Sequence, residues 1–196
     1  ARTGKLPKIE YGRYETLDSF KKAKAFITKL ERCSHFVFDI ESTGLVAKVA
    51  KLCGISFSLK SGEAAYLPFR EPVMDKFLDK KGKPTRSKPF WTKPQLVYLQ
   101  KRLRRVFRKK RIKKSNQNIK FDLQHIKANK MGPVRGIVFD PMIAHHCIDE
   151  TKPHNLTFIS CWYGMPFGRW ETAMEAYWFG TGKKKHPRYN NVVRWN

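Results

Sequence analysis

The stretch "SHFVFDIESTGL", residues 34–45, constrains this chain more than any other. A hydrophobic strand, "HFVFDI", ends in Asp39 and Glu41, with only Ile40 between them. Strand residues two apart point to the same face. Two carboxylates side by side repel each other, and neither is a sensible core residue. The pattern calls for something positive between them.

Further elements follow from periodicity. Residues 1–14, basic with Pro and two Gly, read as an N-terminal arm, and residues 15–196 as one domain. "ETLDSFKKAKAFITKLERC" reads as a helix, with Leu17, Phe20, Ala23, Phe26, Ile27 and Leu30 at helical spacing. "KLCGISFSL" and "EAAYLPF" are two more strands, joined by the turn "KSGE". Residues 70–93 read as an exposed loop, and a helix follows from about Pro94 with Leu96, Leu99, Leu103 and Val106 as its apolar stripe. "NQNIKFDLQHIKANKMG" is a loop into a helix ended by Gly132, and "VRGIVF" is a strand. "DPMIAHHCIDE" opens with Asp140 as N-cap and Pro141 in the first turn. "NLTFISCWYGM" is a further helix; beyond Gly164 the chain is aromatic and irregular. Three consecutive strands, then alternating helices and strands, predict a three-layer α/β domain with a mixed sheet flanked by helices.

Charge narrows the partners. Forty-one Lys and Arg face sixteen Asp and Glu, a formal net charge of +25. Ten of the fourteen residues in "KRLRRVFRKKRIKK", 101–114, are basic, so the excess is clustered rather than spread. Clustered charge of this size points to a polyanion, most often nucleic acid, with Arg104, Arg105, Arg108 and Lys109 as contacts. No apolar run reaches the roughly 18 residues of a membrane span, and no signal peptide opens the chain. Cys33, Cys53, Cys147 and Cys161 form no CxxC pair, which fits reduced thiols in a cytoplasmic setting rather than a zinc site.

Asp-x-Glu at the end of a central strand is a candidate metal site. Hard oxygen ligands suit Mg²⁺ or Mn²⁺, and two such ions about 3.5–4 Å apart clamp the attacking and leaving oxygens of a phosphodiester. Alone the pattern is common by chance. A second acid, Asp122, lies near the start of a predicted helix, where a negative charge is favoured anyway. Around it stand Asn116, Gln117, Asn118 and Lys120, suited to phosphate and sugar oxygens, and Phe121, suited to stacking on a base.

"FDIESTGL" resembles the first motif of the DEDD proofreading nucleases. "NQNIKFD" resembles their second motif, in the Asn-x-Lys-(Phe or Tyr)-Asp form of family A DNA polymerases such as bacterial DNA polymerase I. "FDPMIAHHCIDE" followed by "HNLTFIS" resembles the segment after it, so the likeness spans roughly residues 12–165. The resemblance implies a ribonuclease H-like fold and 3′→5′ exonuclease chemistry on a single-stranded or frayed DNA end. It implies Asp39, Glu41 and Asp122 as ligands of Mg²⁺ or Mn²⁺, two ions in the complete site. It implies that Leu45 presses on the terminal base, that Thr43 and Gly44 shape its turn, and that Asn118 and Phe121, with Lys120, hold the last nucleotides. A polymerase domain C-terminal to this one, in a bacterial or phage-infected cell, is part of the same expectation.

The family's third motif, Tyr-x-x-x-Asp on a late helix or His-x-x-x-x-Asp, does not occur after the second motif in these residues. Tyr189 is followed four residues on by Val193, His186 five residues on by Asn191, and no acid follows Glu175. The expectation is a fragment of a longer polymerase, a weak or inactive nuclease without that motif; a catalytically impaired exonuclease-like DNA-binding module and an RNA-trimming nuclease of the same fold are the alternatives. His145, His146 and Cys147 are read as ordinary helix residues with one histidine partly buried, and His154 as a surface or helix-entry residue. Trp162, Trp170, Trp178 and Trp195 are read as packing or docking residues.

Overall fold

The computed structural model describes residues 13–71 and 88–164. They divide into two units, one within residues 13–140 and the other within residues 141–164. Of the sequence-based expectations, residues 1–12 of the arm, most of the loop at 70–93, and Trp170, Trp178 and Trp195 lie outside the described residues.

The first unit is built on a six-stranded sheet in the order β1-β4-β3-β2-β5-β6. Its strands are β1 (Arg13–Thr16), β2 (His35–Ser42), β3 (Leu52–Lys60), β4 (Glu63–Pro68), β5 (Lys113–Ser115) and β6 (Ile137–Phe139). β2, β3 and β4 form an antiparallel meander, while β1 joins β4, β5 joins β2 and β6 joins β5, all in parallel. The sheet is therefore mixed, as the strand pattern predicts. Helices α1 (Phe20–Arg32), α2 (Lys93–Arg108) and α3 (Ile119–Ala128) belong to the same unit.

β2 shows how the sequence sorts its two faces. Phe36, Phe38 and Ile40 are buried, and the alternating His35, Val37, Asp39 and Glu41 are not. Phe107 of α2 meets Phe36 and Phe38 at ring-centroid distances of 6.0 and 5.2 Å. With Leu99, Leu103 and Val106 it seats α2 on the sheet face opposite Asp39 and Glu41. Phe26 of α1 packs on Phe57 of β3 in the same core, where Ala23, Ile27 and Leu30 are fully buried. Each buried side chain of this size removes about 1.5–3 kcal/mol worth of apolar surface from water, so this interdigitated layer is the main source of cohesion.

Helix ends follow local chemistry. Thr92 and Gln95 form a reciprocal capping box at the start of α2. Ser19 caps α1 by accepting from the Lys22 amide at 3.3 Å. The helix therefore begins at Phe20, and Leu17 is a buried lead-in rather than a helical residue. Arg13 and Tyr14, read above as arm, belong to β1. α3 ends at Ala128, before Gly132, with Lys130 in the left-handed region at φ 62°.

The strand β5 lies inside the basic run and escapes a pattern reading. Its Lys114 is wholly buried, and its ammonium donates to the carbonyls of Lys109 at 2.6 Å and Arg135 at 2.8 Å. Burial lowers its pKa from the ordinary 10.5 to about 8. Lys114 thus ties the C-terminal end of α2 to the entry of β6 instead of joining the outer basic surface. Gly136 completes this junction at φ +77°, and its carbonyl accepts from the Lys114 amide at 2.9 Å. A Cβ at Gly136 would stand 2.5 Å from the Ile112 carbonyl oxygen and 2.6 Å from that of Lys110. Gly136→Ala is expected to lose about 1–3 kcal/mol from the left-handed backbone, with the clash adding to it. Urea unfolding monitored by circular dichroism should give a lower midpoint with an unchanged slope.

Candidate active site

Asp39 and Glu41 stand at the C-terminal end of β2, on its uncovered face, one pleat apart. Across the sheet their partners are small: Ser56 opposite Asp39 and Gly54 opposite Glu41. Gly54 is required by packing. A Cβ there would lie 2.1 Å from the Tyr66 hydroxyl, so the Tyr66 ring crosses directly over β3 toward Glu41. Burial, with smaller contributions from Cys53 and Glu41, pushes the Tyr66 phenol up to about 12, and it remains a neutral wall beside the acids. Neither Gly54 nor Tyr66 is signalled by sequence; only their cross-strand pairing exposes the relation.

Asp122 sits in the first turn of α3 and is buried. Asn116 donates a short hydrogen bond to it through Nδ2, while the buried Asn116 Oδ1 has no partner. Burial pushes the Asp122 carboxyl from the ordinary 3.8 to about 8. The Asn116 bond opposes the rise, and the charges of Asp39, Glu41 and Asp140 add to it. Asp39 is raised by burial, partly offset by the Ile40 backbone, and Glu41 by burial and then by Asp39. Both keep some access to water, so desolvation acts on their carboxylates without enclosing the side chains. The three acids therefore feel one another across the sheet end.

The loop carrying Asp122 is held from a distance. Asn118 adopts the left-handed conformation, φ 54° and ψ 46°, and makes no side-chain cap. Asp140, at the end of β6, fills that role: its two carboxylate oxygens accept from the Asn118 amide at 3.0 Å and the Ile119 amide at 2.9 Å. Sequence assigns Asp140 to its own following helix; the structure has it fixing the start of α3. An aspartate at a helix N-terminus is favoured by the helix dipole as well as by these bonds.

The remaining expected site residues divide. The turn after β2 is ordered by the Thr43 hydroxyl, which accepts from the Lys51 amide at 2.9 Å, and by Ser42 donating to the Gly44 carbonyl at 2.8 Å. It presents Leu45, 62% exposed, to solvent. A Cβ on Gly44 would meet only the Ala50 Cβ at 3.8 Å, so the turn itself does not require glycine. Lys120 is exposed, whereas Phe121 is half-buried with its ring centroid 4.6 Å from that of His125. Arg104, Arg105, Arg108 and Lys109 belong to α2 and its C-cap, away from the acids. In the second unit, α4 (Pro141–Ile148) and α5 (Leu156–Trp162) carry the histidines and Trp162. His145 is buried and His146 exposed, as expected, but His154 is more than an entry residue. Its ring bridges them, at 2.8 Å to His145 and 3.1 Å to His146. Trp162 stacks on Phe158.

Among the described residues no group of three or more His, Cys, Asp or Glu side chains stands ready to hold a metal ion. The donor chemistry nonetheless fits a hard divalent cation: three carboxylates that repel one another, and the unpartnered buried oxygen of Asn116 beside one of them.

Residues 14–163 match the family model described as 3′-5′ exonuclease, of the DNA polymerase A type. The chain belongs to the family A polymerase 3′-5′ exonuclease family. DNA polymerase I of Pseudomonas aeruginosa is 31% identical over 131 residues, 65% of this chain and 12% of that protein. DNA polymerase I of Borreliella burgdorferi is 28% identical over 148 residues, 76% of this chain and 14% of that protein. The chain thus spans about an eighth of the length of these relatives. Among solved structures, the catalytic core of Rrp6 from Trypanosoma brucei superposes with a TM-score of 0.56 at 14% identity, covering 83% of this chain and 38% of that one. The Trypanosoma brucei RNase D:GMP complex gives 0.50 at 13% identity, covering 69% and 35%. The exonuclease domain accordingly has the ribonuclease H-like α/β fold that the motifs imply.

Two expectations follow from this geometry. In the metal-free exonuclease domain, folded Asp122 holds its proton up to about pH 8 while the unfolded chain releases it near 3.8. The folded state then binds more protons between those limits, so stability falls as pH rises from about 4 to about 8. Thermal melts in EDTA should show this decline, Asp122→Asn should flatten it, and Mn²⁺ should raise the midpoint more at pH 8 than at pH 5. Asp140→Ala should cost about 1–3 kcal/mol by leaving two backbone donors without their partner. Faster amide exchange confined to the start of α3 would localise the loss.

Proposed function

We propose that this domain hydrolyses the 3′-terminal phosphodiester of single-stranded or frayed DNA, as the proofreading part of a DNA polymerase. The observation that carries the reading is the trio of Asp39, Glu41 and Asp122. Two acids share the open end of β2, and a third, in the first turn of α3, is raised by burial first and then by their charge. Repelling acids held together in this way are poorly explained by stability alone, and perturbed carboxyls at one site are a signature of function. The polymerase relatives, near 30% identity, support DNA over RNA as substrate; the Rrp6 and RNase D likenesses speak to fold alone.

In this reading Asp39, Glu41 and Asp122 hold Mg²⁺ or Mn²⁺. The bound cation supplies Lewis-acid polarisation of the scissile phosphate and a hydroxide at neutral pH. The chain does the rest. Asn116 orients the Asp122 carboxylate, and Asp140 fixes the turn that presents it. Tyr66, lying over Gly54, walls the site on the Glu41 side. Leu45 on the loop after β2 packs against the terminal base, and Lys120 with Asn118 holds the penultimate phosphate and sugar. Unpaired ends reach such a site more readily than paired ones, because unstacking has already occurred. A polymerase domain in the same polypeptide and a cytoplasmic setting belong to the same proposal.

A 3′-labelled oligonucleotide incubated with Mn²⁺ or Mg²⁺ tests it. The expected product is a nucleoside monophosphate released from the 3′ end, faster from DNA than from RNA of the same sequence. Asp39→Asn, Glu41→Gln and Asp122→Asn should each lower the rate by about 10²-fold or more, since misplacing the reacting groups alone costs about that much. Metal-independent release, or equal rates for Asp122→Asn and the parent chain, would overturn the assignment.

A further inference from the structure

The basic surface of α2 is remote from the acids in two directions. Its buried residues, Leu99, Leu103, Val106 and Phe107, face Phe36 and Phe38, so the helix occupies the sheet face opposite Asp39 and Glu41. It also runs the other way. Residues 109–112 connect its end to β5, and β5 starts beside the start of β2, with His35 paired to Lys113. The Arg108 end of the helix therefore lies at the end of the sheet where β2 begins. Asp39 is four residues further along that strand and Glu41 six, about 13 and 20 Å.

On this outer face Lys101, Arg104, Arg105 and Arg108 recur at i, i+3, i+4 and i+7, one stripe of about 10 Å. With Lys109 they line a groove of about 560 Å³ that, among the described residues, no acidic side chain enters. Arg102, at the edge of the stripe, is turned away: it is bonded to Glu31 on α1 at 2.5 Å and to Thr28 at 3.0 Å. Arg105 and Lys109 add only a distant attraction on Glu31. Among the described residues, none of the five groove side chains is in an ion pair. The apolar side of α2 is committed to the core, and its exposed Val97 and Tyr98 lie near the helix start, outside the groove lining.

We propose that this groove is a second nucleic-acid site, one that grips phosphodiester backbone remote from the 3′ end being cleaved. Its lining has cationic heads on flexible stems and no aromatic ring, so it takes phosphates without reading bases. Its length matches about three phosphates at 3.4 Å per residue of one strand. The choice of nucleic acid as occupant rests on the nuclease reading above; the groove itself does not. A strand engaging both sites must pass from one sheet face to the other. Two layers of about 10 Å and the strand offset sum to at least about 30 Å, more than a strand of only a few nucleotides spans. Shorter strands engage one site at a time, and longer ones gain from the tether.

The experiment measures affinity for single strands of 5 and 25 nucleotides against salt, in EDTA, for the parent chain, an Arg104→Ala/Arg105→Ala/Arg108→Ala/Lys109→Ala variant, and one with Lys at the three arginines. The parent is expected to bind the long strand more tightly. The Ala variant should lose that advantage and about two units of salt slope, at roughly 0.7 per phosphate on single strands. The Lys variant should retain the slope, and keeps the test valid if the Ala variant fails to fold. An unchanged slope and length dependence overturns the proposal. Displacement of the long strand by polyglutamate as effectively as by an oligonucleotide of equal charge also overturns it, in favour of an acidic protein partner. Metal-dependent cleavage of the 5-mer, followed in the same preparations, separates the two readings. Cleavage with an unchanged slope removes the groove alone, and a slope loss without cleavage upholds the groove while removing the nuclease assignment.

Discussion

Everything in the sheet-based unit depends on the alternation of β2. One set of its side chains, Phe36, Phe38 and Ile40, is driven out of water and locks against α2 through Phe107. That burial fixes the register, because a slip of one residue would send Asp39 and Glu41 into an aromatic core and the phenylalanines into solvent. The favourable packing on one face is what makes the unfavourable juxtaposition on the other tolerable. The acids repel, but they sit on a strand whose position is decided elsewhere.

The same constraint explains how the third acid is delivered. α3 starts with a residue in the left-handed region and no cap of its own, a weak beginning for a helix whose first turn carries a buried carboxyl. Its strength is borrowed from β6, through the two bonds accepted by Asp140. β6 in turn pairs with β5 and β5 with β2, so the positions of Asp122 and of the Asp39–Glu41 pair are referred to one sheet. The bulge at the Glu41/Ser42 step lies where the strand leaves the ladder and the Leu45 turn begins.

What was legible in the sequence was what local rules encode. The period-2 strand, the period-3.6 stripes of α1 and α2, and the two acid motifs all stand where their patterns place them. What was not legible depends on partners far along the chain. Lys113 and Lys114 read as the end of the basic run 101–114, and with Ser115 they form a strand because β2 and β6 flank them on both sides. Lys114 reads as surface charge, and it is buried because two carbonyls lie within its reach. β1 is four exposed residues whose only order comes from pairing with β4. Asp140 has a sufficient local explanation in its own Asp-Pro pair, which hides its bonds to residues about twenty positions earlier. Tyr66 and Gly54 look unremarkable apart and become a unit only across two strands.

Charge is distributed along the same lines. The chain carries a net +25, yet the basic residues of α2 are not gathered around the three acids that would most directly benefit from them. A lysine or arginine inserted among Asp39, Glu41 and Asp122 would relieve their repulsion permanently and would remove the reason for a cation to bind. Placing the α2 cluster on the reverse face keeps the acid site open to a divalent ion. Its field still favours approach of a polyanion, and that attraction is damped within about 10 Å at moderate salt. In the proposed arrangement a strand drawn in by the reverse face would be concentrated near the domain without neutralising the carboxylates. Basic surface and acidic site attract opposite charges, and the sheet between them is what keeps the two from cancelling.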